Sequence, residues 1–154
     1  MKPRIKDMTD TLQVKYAAFS ARMAEAGIPF ALVCVIRSQA EQDAYFAQGR
    51  MPIEIVNDRR MTAGLSPITI AQNNVVTHTR VSRHFPNKDG RATAFDIEIL
   101  RDKTHATYDL KYDGNADGIP DYEQAARIGE SVGLEAGGHW ASFHDWPHYQ
   151  EVTA

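Results

Sequence analysis

The chain has little of what would tie it to an oxidising compartment, a membrane or a nucleic acid. It holds one cysteine, Cys34, so no intramolecular disulfide can form. Cys34 sits in the apolar run Phe30-Ala31-Leu32-Val33-Cys34-Val35-Ile36, which predicts a buried, inert thiol. Long hydrophobic segments are missing. The longest, Ile28 to Ile36, contains Pro29 and is far too short to span a bilayer. Lys2, Arg4 and Lys6 lie near the N-terminus, but no apolar stretch of signal-peptide length follows them. The expectation is a protein without an export signal, held in the cytoplasm of the producing cell and not inserted in a membrane. Positive charge is not in excess either: 17 Lys+Arg against 20 Asp+Glu leave a net charge of −3 and a pI near 6.0. That balance argues against a nucleic-acid partner held by a large basic face. Repeats, low-complexity tracts and linkers are not seen.

What remains describes a folded globule. Hydrophobic residues make up 43% and charged residues 24%, which excludes disorder by composition. A length of 154 residues fits one domain and leaves no room for a second sizeable core, so residues 1–154 are read as a single domain, working as a monomer. Leu12, Tyr16, Phe19 and Met23 recur at helical spacing before Gly27 and Pro29, predicting a helix over 9–26. Phe30 to Ile36 predicts a buried strand. Ser38-Gln39-Ala40-Glu41 is a capping box that opens a helix from about Gln39 to Gln48. A short helix is expected over 54–63, a short strand over Val75–Thr79 and a loop over 82–93. Ala94 to Leu100 alternates, with Asp96 and Glu98 on one face and Phe95, Ile97 and Ile99 on the other. Pro120-Asp121 opens a further helix ending near Gly133, with Asp121 and Gln124 forming a cap pattern. Trp140 to Val152 reads as a strand, a tight loop and another strand. The class is α+β, helices packed on a small antiparallel sheet.

Two histidines stand out by their placement. His84 lies on a loop before the strand carrying Asp96, and Asp145-Trp146-Pro147-His148 sets a carboxylate three residues before a histidine. Two histidines and a carboxylate make a catalytic zinc set that leaves one position for water. Zinc lowers the pKa of that water to about 7, and a second carboxylate is then needed to carry protons. The bland alternatives are a solvated loop histidine, a strand-end aspartate, a turn at 145–148 and an ion-paired Arg37. His78 and His105 read as surface residues. Pro147, between His144 and His148, argues against a helical metal pair there. Trp140, Phe143, Trp146 and Tyr149 read as core and groove wall.

Ser82-Arg83-His84 followed by Ala94-Phe95-Asp96 resembles the Ser-x-His…Ala-x-Asp signature of the zinc D-Ala-D-Ala peptidases and their phage relatives. Gly137 to Gln150 resembles the C-terminal motif of phage L-alanyl-D-glutamate endopeptidases. Arg37-Ser38, Gln42 and Phe46-Ala47-Gln48-Gly49-Arg50 resemble that family's N-terminal block, with Phe46 in place of a tyrosine. The resemblance implies the zinc D-Ala-D-Ala peptidase-like (hedgehog-like) fold. It implies His84, Asp96 and His148 as zinc ligands, Asp145 as general base and acid, and Arg37 as the group that steadies the carbonyl oxygen as it becomes negative. Ser82 and His139 would line the substrate groove. The substrate would be the peptidoglycan stem peptide, cut between L-alanine and D-glutamate by an endolysin that reaches the wall once the membrane opens. The alternatives are a D,D-carboxypeptidase or D-Ala-D-Ala dipeptidase, and a catalytically inactive binding or virion protein. The chain departs from the compact pattern in two places: 12 positions separate His84 from Asp96 where seven are usual, and Ala92 stands where a glycine is usual.

One further motif lies outside that resemblance. Asp113-Gly114-Asn115-Ala116-Asp117-Gly118-Ile119-Pro120-Asp121 matches the start of an EF-hand loop, with oxygen-bearing side chains at positions 1, 3, 5 and 9 and glycine at 6. Gln124 stands at position 12, where a bidentate glutamate is usual. The pattern predicts either a Ca2+ site at Asp113, Asn115, Asp117 and Asp121 or a tight acidic turn that Asp121 closes as a helix cap.

Overall fold

The computed structural model describes residues 2–152. Its main elements are α1 (Asp10–Ala26), β1 (Phe30–Cys34), α2 (Gln39–Ala47), α3 (Ile53–Thr62), β2 (Ala94–Leu100), β3 (Ala106–Thr107), α4 (Asp121–Ser131), β4 (Leu134–Ala136) and β5 (His148–Glu151). The strands form an antiparallel sheet in the order β1-β2-β5-β4, with β3 also paired to β2. The α+β class expected from the pattern is observed.

Helix α1 starts where the Thr9 side chain accepts the Leu12 N–H at 3.2 Å, and it stops at Gly27, whose φ of +72° suits glycine. Its stripe of Leu12, Tyr16, Phe19 and Met23 is buried against Phe95, Ile97 and Ile99 of β2. Tyr122, Ala125 and Ala126 of α4 close the same core. At its centre Phe95 and Tyr149, cross-strand partners on β2 and β5, stack with ring centroids 5.4 Å apart. Tyr16 meets Phe95 edge-on and Phe19 tilts against Tyr149. Each such ring contributes about 1.5–3 kcal/mol by leaving water. Because side chains alternate along a strand, the residues that follow Phe95 and precede Tyr149 must face away from this core. Those residues are Asp96 and His148.

Four local expectations are corrected. Residues 30–34 form an edge strand that is half-buried rather than buried, with Val33 38% exposed. An unbroken apolar run implies burial on both faces, whereas β1 pairs on one side only, with β2. Val75–Thr79 joins no strand pairing among the described residues. Its carbonyls are taken by side chains instead: Gln42 Nε2 donates to Thr79 O at 2.7 Å and Arg50 Nη2 to Thr77 O at 2.9 Å. Residues 140–147 are a compact loop and not a strand, because β4 already supplies the partner that β5 needs. Pro120, not Asp121, occupies the N-cap of α4, and no side chain caps that helix. The Ser38 cap of α2 forms as expected, accepting the Glu41 N–H at 3.1 Å.

The N-terminal block has a structural reason. Arg50 lies over the Phe46 ring at 4.0 Å and reaches Thr77 O, while Gly49 N donates to Asn73 Oδ1 at 2.7 Å. A Cβ on Gly49 would fall 2.3 Å from Val75 N. The end of α2 therefore clasps the extended strap at 73–79 against the groove.

Gly129 marks the tightest helix–sheet approach. A Cβ there would sit 2.7 Å from the ring of Tyr149, which is fully buried. Gly→Ala inside a helix ordinarily gains up to about 1 kcal/mol. Here overpacking should reverse the sign, and Gly129→Ala should lose about 1–3 kcal/mol in denaturant unfolding. An unchanged or raised midpoint would show that the ring can yield.

Candidate metal centre

Three ligand atoms converge on the sheet face opposite the aromatic core. His84 Nε2 lies 3.1 Å from Asp96 Oδ1 and 3.2 Å from His148 Nδ1, and His148 Nδ1 lies 3.0 Å from Asp96 Oδ1. Strand register delivers two of them, since Asp96 and His148 are direct partners across β2 and β5. His84 arrives from a loop whose backbone is fixed at the end of β1: Arg37 N donates to His84 O at 2.9 Å. The long spacing between His84 and Asp96 does not separate them. Arg83 and Thr93 close a neck, through Thr93 N to Arg83 O at 3.2 Å and Arg83 Nε to Thr93 Oγ1 at 3.1 Å, and the extra residues loop out beyond it. Ala92 is fully buried and hydrogen-bonded to Asp7 and Thr9, so the departure from glycine meets no backbone demand.

The outer nitrogens settle which atoms carry protons. His84 Nδ1 faces the Val35 carbonyl at 2.9 Å; a carbonyl only accepts, so Nδ1 donates and Nε2 of the neutral ring is bare. Gln150 Nε2 faces the Glu135 carboxylate at 3.4 Å, which turns Gln150 Oε1 to His148 Nε2 at 2.9 Å. His148 Nε2 therefore donates, and Nδ1 is bare. Two lone pairs and a carboxylate oxygen facing one another at 3.0–3.2 Å repel unless a cation lies between them. Tetrahedral zinc at 2.0–2.1 Å from each ligand would set them roughly 3.3 Å apart, so the donor set fits zinc in type and spacing. A proton is the other cation that could serve. Burial works against charge on His84, but Asp96 outweighs it and pushes His84 up to about 10. Burial likewise opposes ionisation of Asp96, yet the two histidines hold its carboxyl well below the usual carboxylate range.

Cys34 is not buried as expected. It is half-buried and paired in register with Asp96, with Sγ 3.6 Å from His84 Nδ1 and 3.8 Å from Arg37 Nη2. The atoms of Cys34, His84 and Asp96 gather within 4.8 Å, which would also make a metal set. His148 completes the better one, because Cys34 approaches the protonated nitrogen of His84 whereas His148 Nδ1 approaches the bare one.

The other site residues fall into two groups. Asp145 is half-buried beside the trio and makes no side-chain hydrogen bond among the described residues; burial and then the Asp96 charge raise its pKa, against His148, Arg37 and His84. Its backbone is fixed through Asp145 N to Gly137 O at 2.9 Å, and a Cβ on Gly137 would fall 2.4 Å from Asp145 O. The Gly137-Gly138 pair is thus demanded by close approach. Arg37 donates to Asp96 Oδ2 at 3.1 Å and to Gln42 Oε1 at 3.0 Å. It lines three cavities, and Asp145 lines the two of about 380 and 470 Å³. Ser82 lines the first of these two and accepts the His84 N–H at 3.1 Å. Trp140 and Phe143 line it too, and His78, exposed as expected, meets Phe143 edge-on with centroids 4.3 Å apart. His105 is exposed and pairs with Asp102, and His144 binds Gly138 O, so neither joins the trio. His139 does not face the groove: it bridges Glu123 and Glu130 of α4. Gln150, Gln42 and Glu135 were not singled out as holding the site. Gln150 was findable, since positions two apart on a strand share a face with His148.

The His139 bridge carries a pH signature. Its hydrogen bond to Glu123 raises the His139 pKa against burial, and the same bond holds Glu123 below its usual 4.5 although burial opposes. The His139 contribution is therefore full below about pH 6.5 and fades as pH rises through the raised value, while the Glu123 contribution is present above about 4.5 and lost in acid. His139→Gln should lower stability by about 0.5–1 kcal/mol at pH 6 and by less at pH 9.5, read from melting curves. An equal deficit at both pH values would remove the ion pair as its cause.

No family model matches the chain. The peptidoglycan L-alanyl-D-glutamate endopeptidase CwlK of Bacillus subtilis (strain 168) is 26% identical over 150 residues, covering 97% of this chain and 77% of CwlK. The crystal structure of the L-Ala D-Glu endopeptidase ChiX of Serratia marcescens has a TM-score of 0.56 at 17% identity, covering 96% of this chain and 83% of that one, and shows the shared fold. The chain is thus similar along nearly its whole length to one L-alanyl-D-glutamate endopeptidase and shares its fold with another.

Proposed function

We propose that residues 1–154 form one zinc-dependent catalytic domain that hydrolyses the L-alanyl-D-glutamate bond of peptidoglycan stem peptides, and that it serves as a phage-type endolysin. The convergence of two bare histidine nitrogens and a carboxylate oxygen, beside an unengaged Asp145, carries the reading. His84, Asp96 and His148 would hold the ion. Bound zinc supplies a Lewis acid and a water acidified to near neutral pH.

The chain's own groups then divide the work. Arg37, held by Gln42 and Asp96, would keep one ligand carboxylate oriented while its guanidinium stands where a carbonyl oxygen gains negative charge. Asp145, its pKa raised by burial, would take a proton from the attacking water and return it to the leaving amine. The two cavities that meet at Arg37 and Asp145 offer one side for each half of the cut peptide. As an endolysin it would meet the wall once another agent opens the membrane; no described helix is long and apolar enough to cross one.

Four measurements test this. Chelation should abolish wall lysis and about one equivalent of zinc should restore it; full activity in metal-free protein would refute the site. Mass spectrometry of digested peptidoglycan should show new N-terminal D-glutamate, whereas loss of terminal D-alanine alone would make the chain a D,D-carboxypeptidase. Asp145→Asn should keep zinc and lose roughly 10²-fold or more in rate. His148→Ala should lose the metal. Loss of zinc from Asp145→Asn would make Asp145 a ligand and overturn its assigned role.

A further inference from the structure

A buried carboxylate far along the chain from the metal centre is left half-bonded. Asp121, the first residue of α4, is 1% exposed. Its Oδ2 accepts the Gly114 N–H at 3.1 Å, which holds the carboxyl against the 113–121 loop, while its Oδ1 is buried without a hydrogen-bond partner among the described residues. A buried carboxylate oxygen with neither donor nor cation is costly. Here the charge stands beside two more: burial first, then Asp113 and Asp117, raise the Asp121 pKa against the Gly114 N–H. α4 gains no side-chain cap from this residue, so helix capping does not account for its burial.

The loop itself is wound as a cation loop is wound. Asp113 Oδ2 accepts the Gly118 N–H at 2.9 Å and its Oδ1 the Asp117 N–H at 3.2 Å, drawing the backbone around the first aspartate. Gly118, at loop position 6, has φ +86°, which favours glycine. Asn115 Nδ2 donates to Ala26 O at 2.7 Å, to Gln124 Oε1 at 3.2 Å and to Asp117 Oδ2 at 3.2 Å, while its amide oxygen takes Asp117 N at 3.3 Å.

We propose that residues 113–121 bind a calcium ion through Asp113, Asn115, Asp117 and Asp121, with the Ile119 carbonyl at position 7. The donors are all hard oxygens, which selects calcium over zinc. Gln124 stands where EF-hands place a bidentate glutamate, and its amide oxygen is engaged by Asn115 Nδ2 at 3.2 Å, which sets the affinity towards the weaker end of that range. The ion would join the C-terminal end of α1, through Asn115 and Ala26, to the start of α4. It would sit one residue from Tyr122, which is buried and bonds both Thr107 O and Ile99 N. This site stands independently of the proposed peptidase activity.

The test is titration calorimetry with calcium chloride on zinc-loaded protein, with zinc content and melting temperature followed in parallel. The expected result is about one calcium per chain and a melting temperature raised by about 5–10 °C at a hundredfold excess over Kd. Asp117→Ala, at an exposed position, should weaken binding at least tenfold while leaving zinc content unchanged. Asp121→Asn, which keeps the shape and removes the charge, serves as the second variant. Absence of heat at millimolar calcium together with an unchanged melting temperature would overturn the proposal. So would undiminished binding in both variants, which would put the calcium elsewhere.

Discussion

Asp96 and His148 face each other across β2 and β5, and the same two strands put Phe95 against Tyr149 on the other side of the sheet. That single register serves both the core and the chemistry. A slip of one residue would turn the stacked rings to the groove and the ligands into the core, so the hydrophobic drive that seats Phe95 and Tyr149 also fixes the metal set. The polar face is thereby held by the most rigid part of the molecule. Loops supply only what can afford to be adjusted: His84 from one side, Asp145 from the other.

Around the trio, a ring of polar partners acts by saturation. The Val35 carbonyl takes one histidine's proton, the Gln150 amide takes the other's, and Glu135 fixes the way Gln150 points. Arg37 occupies the second oxygen of Asp96. Each partner leaves its ligand only one way to satisfy the atom turned inward, which is to meet a cation. As proposed ligands, the three side chains are therefore already oriented for a cation by their outer partners.

Much of this was legible in the chain. The alternation from Ala94 to Leu100, the α1 stripe and the order of the three motif blocks all survive in the structure, because each rests on local periodicity or on residue types with few other uses. What was not legible was relational. Cys34 was misread because its apolar neighbours said nothing of the strand partner, Asp96, that sets its surroundings. Val75–Thr79 carries strand-forming residues, yet Gln42 and Arg50 claim its carbonyls. His139 lies in the motif that builds the groove, but its backbone turn sends the ring to α4. In each case the deciding contact comes from a residue distant in sequence, and local pattern contains no record of it.

The neck formed by Arg83 and Thr93 has a consequence beyond the ligands it protects. His84 and Ala92 stay buried just inside the neck, and the exposed residues 86–90 between them leave the fold, so the chain length of that excursion is uncoupled from the geometry of the site. Closing a longer loop at a fixed neck adds an entropy that grows only with the logarithm of its length, about 0.6 kcal/mol per doubling. The exposed tip around Lys88-Asp89-Gly90 is thus a port in the architecture. Further chain could be spliced there with His84 and Asp96 left facing each other at 3.1 Å.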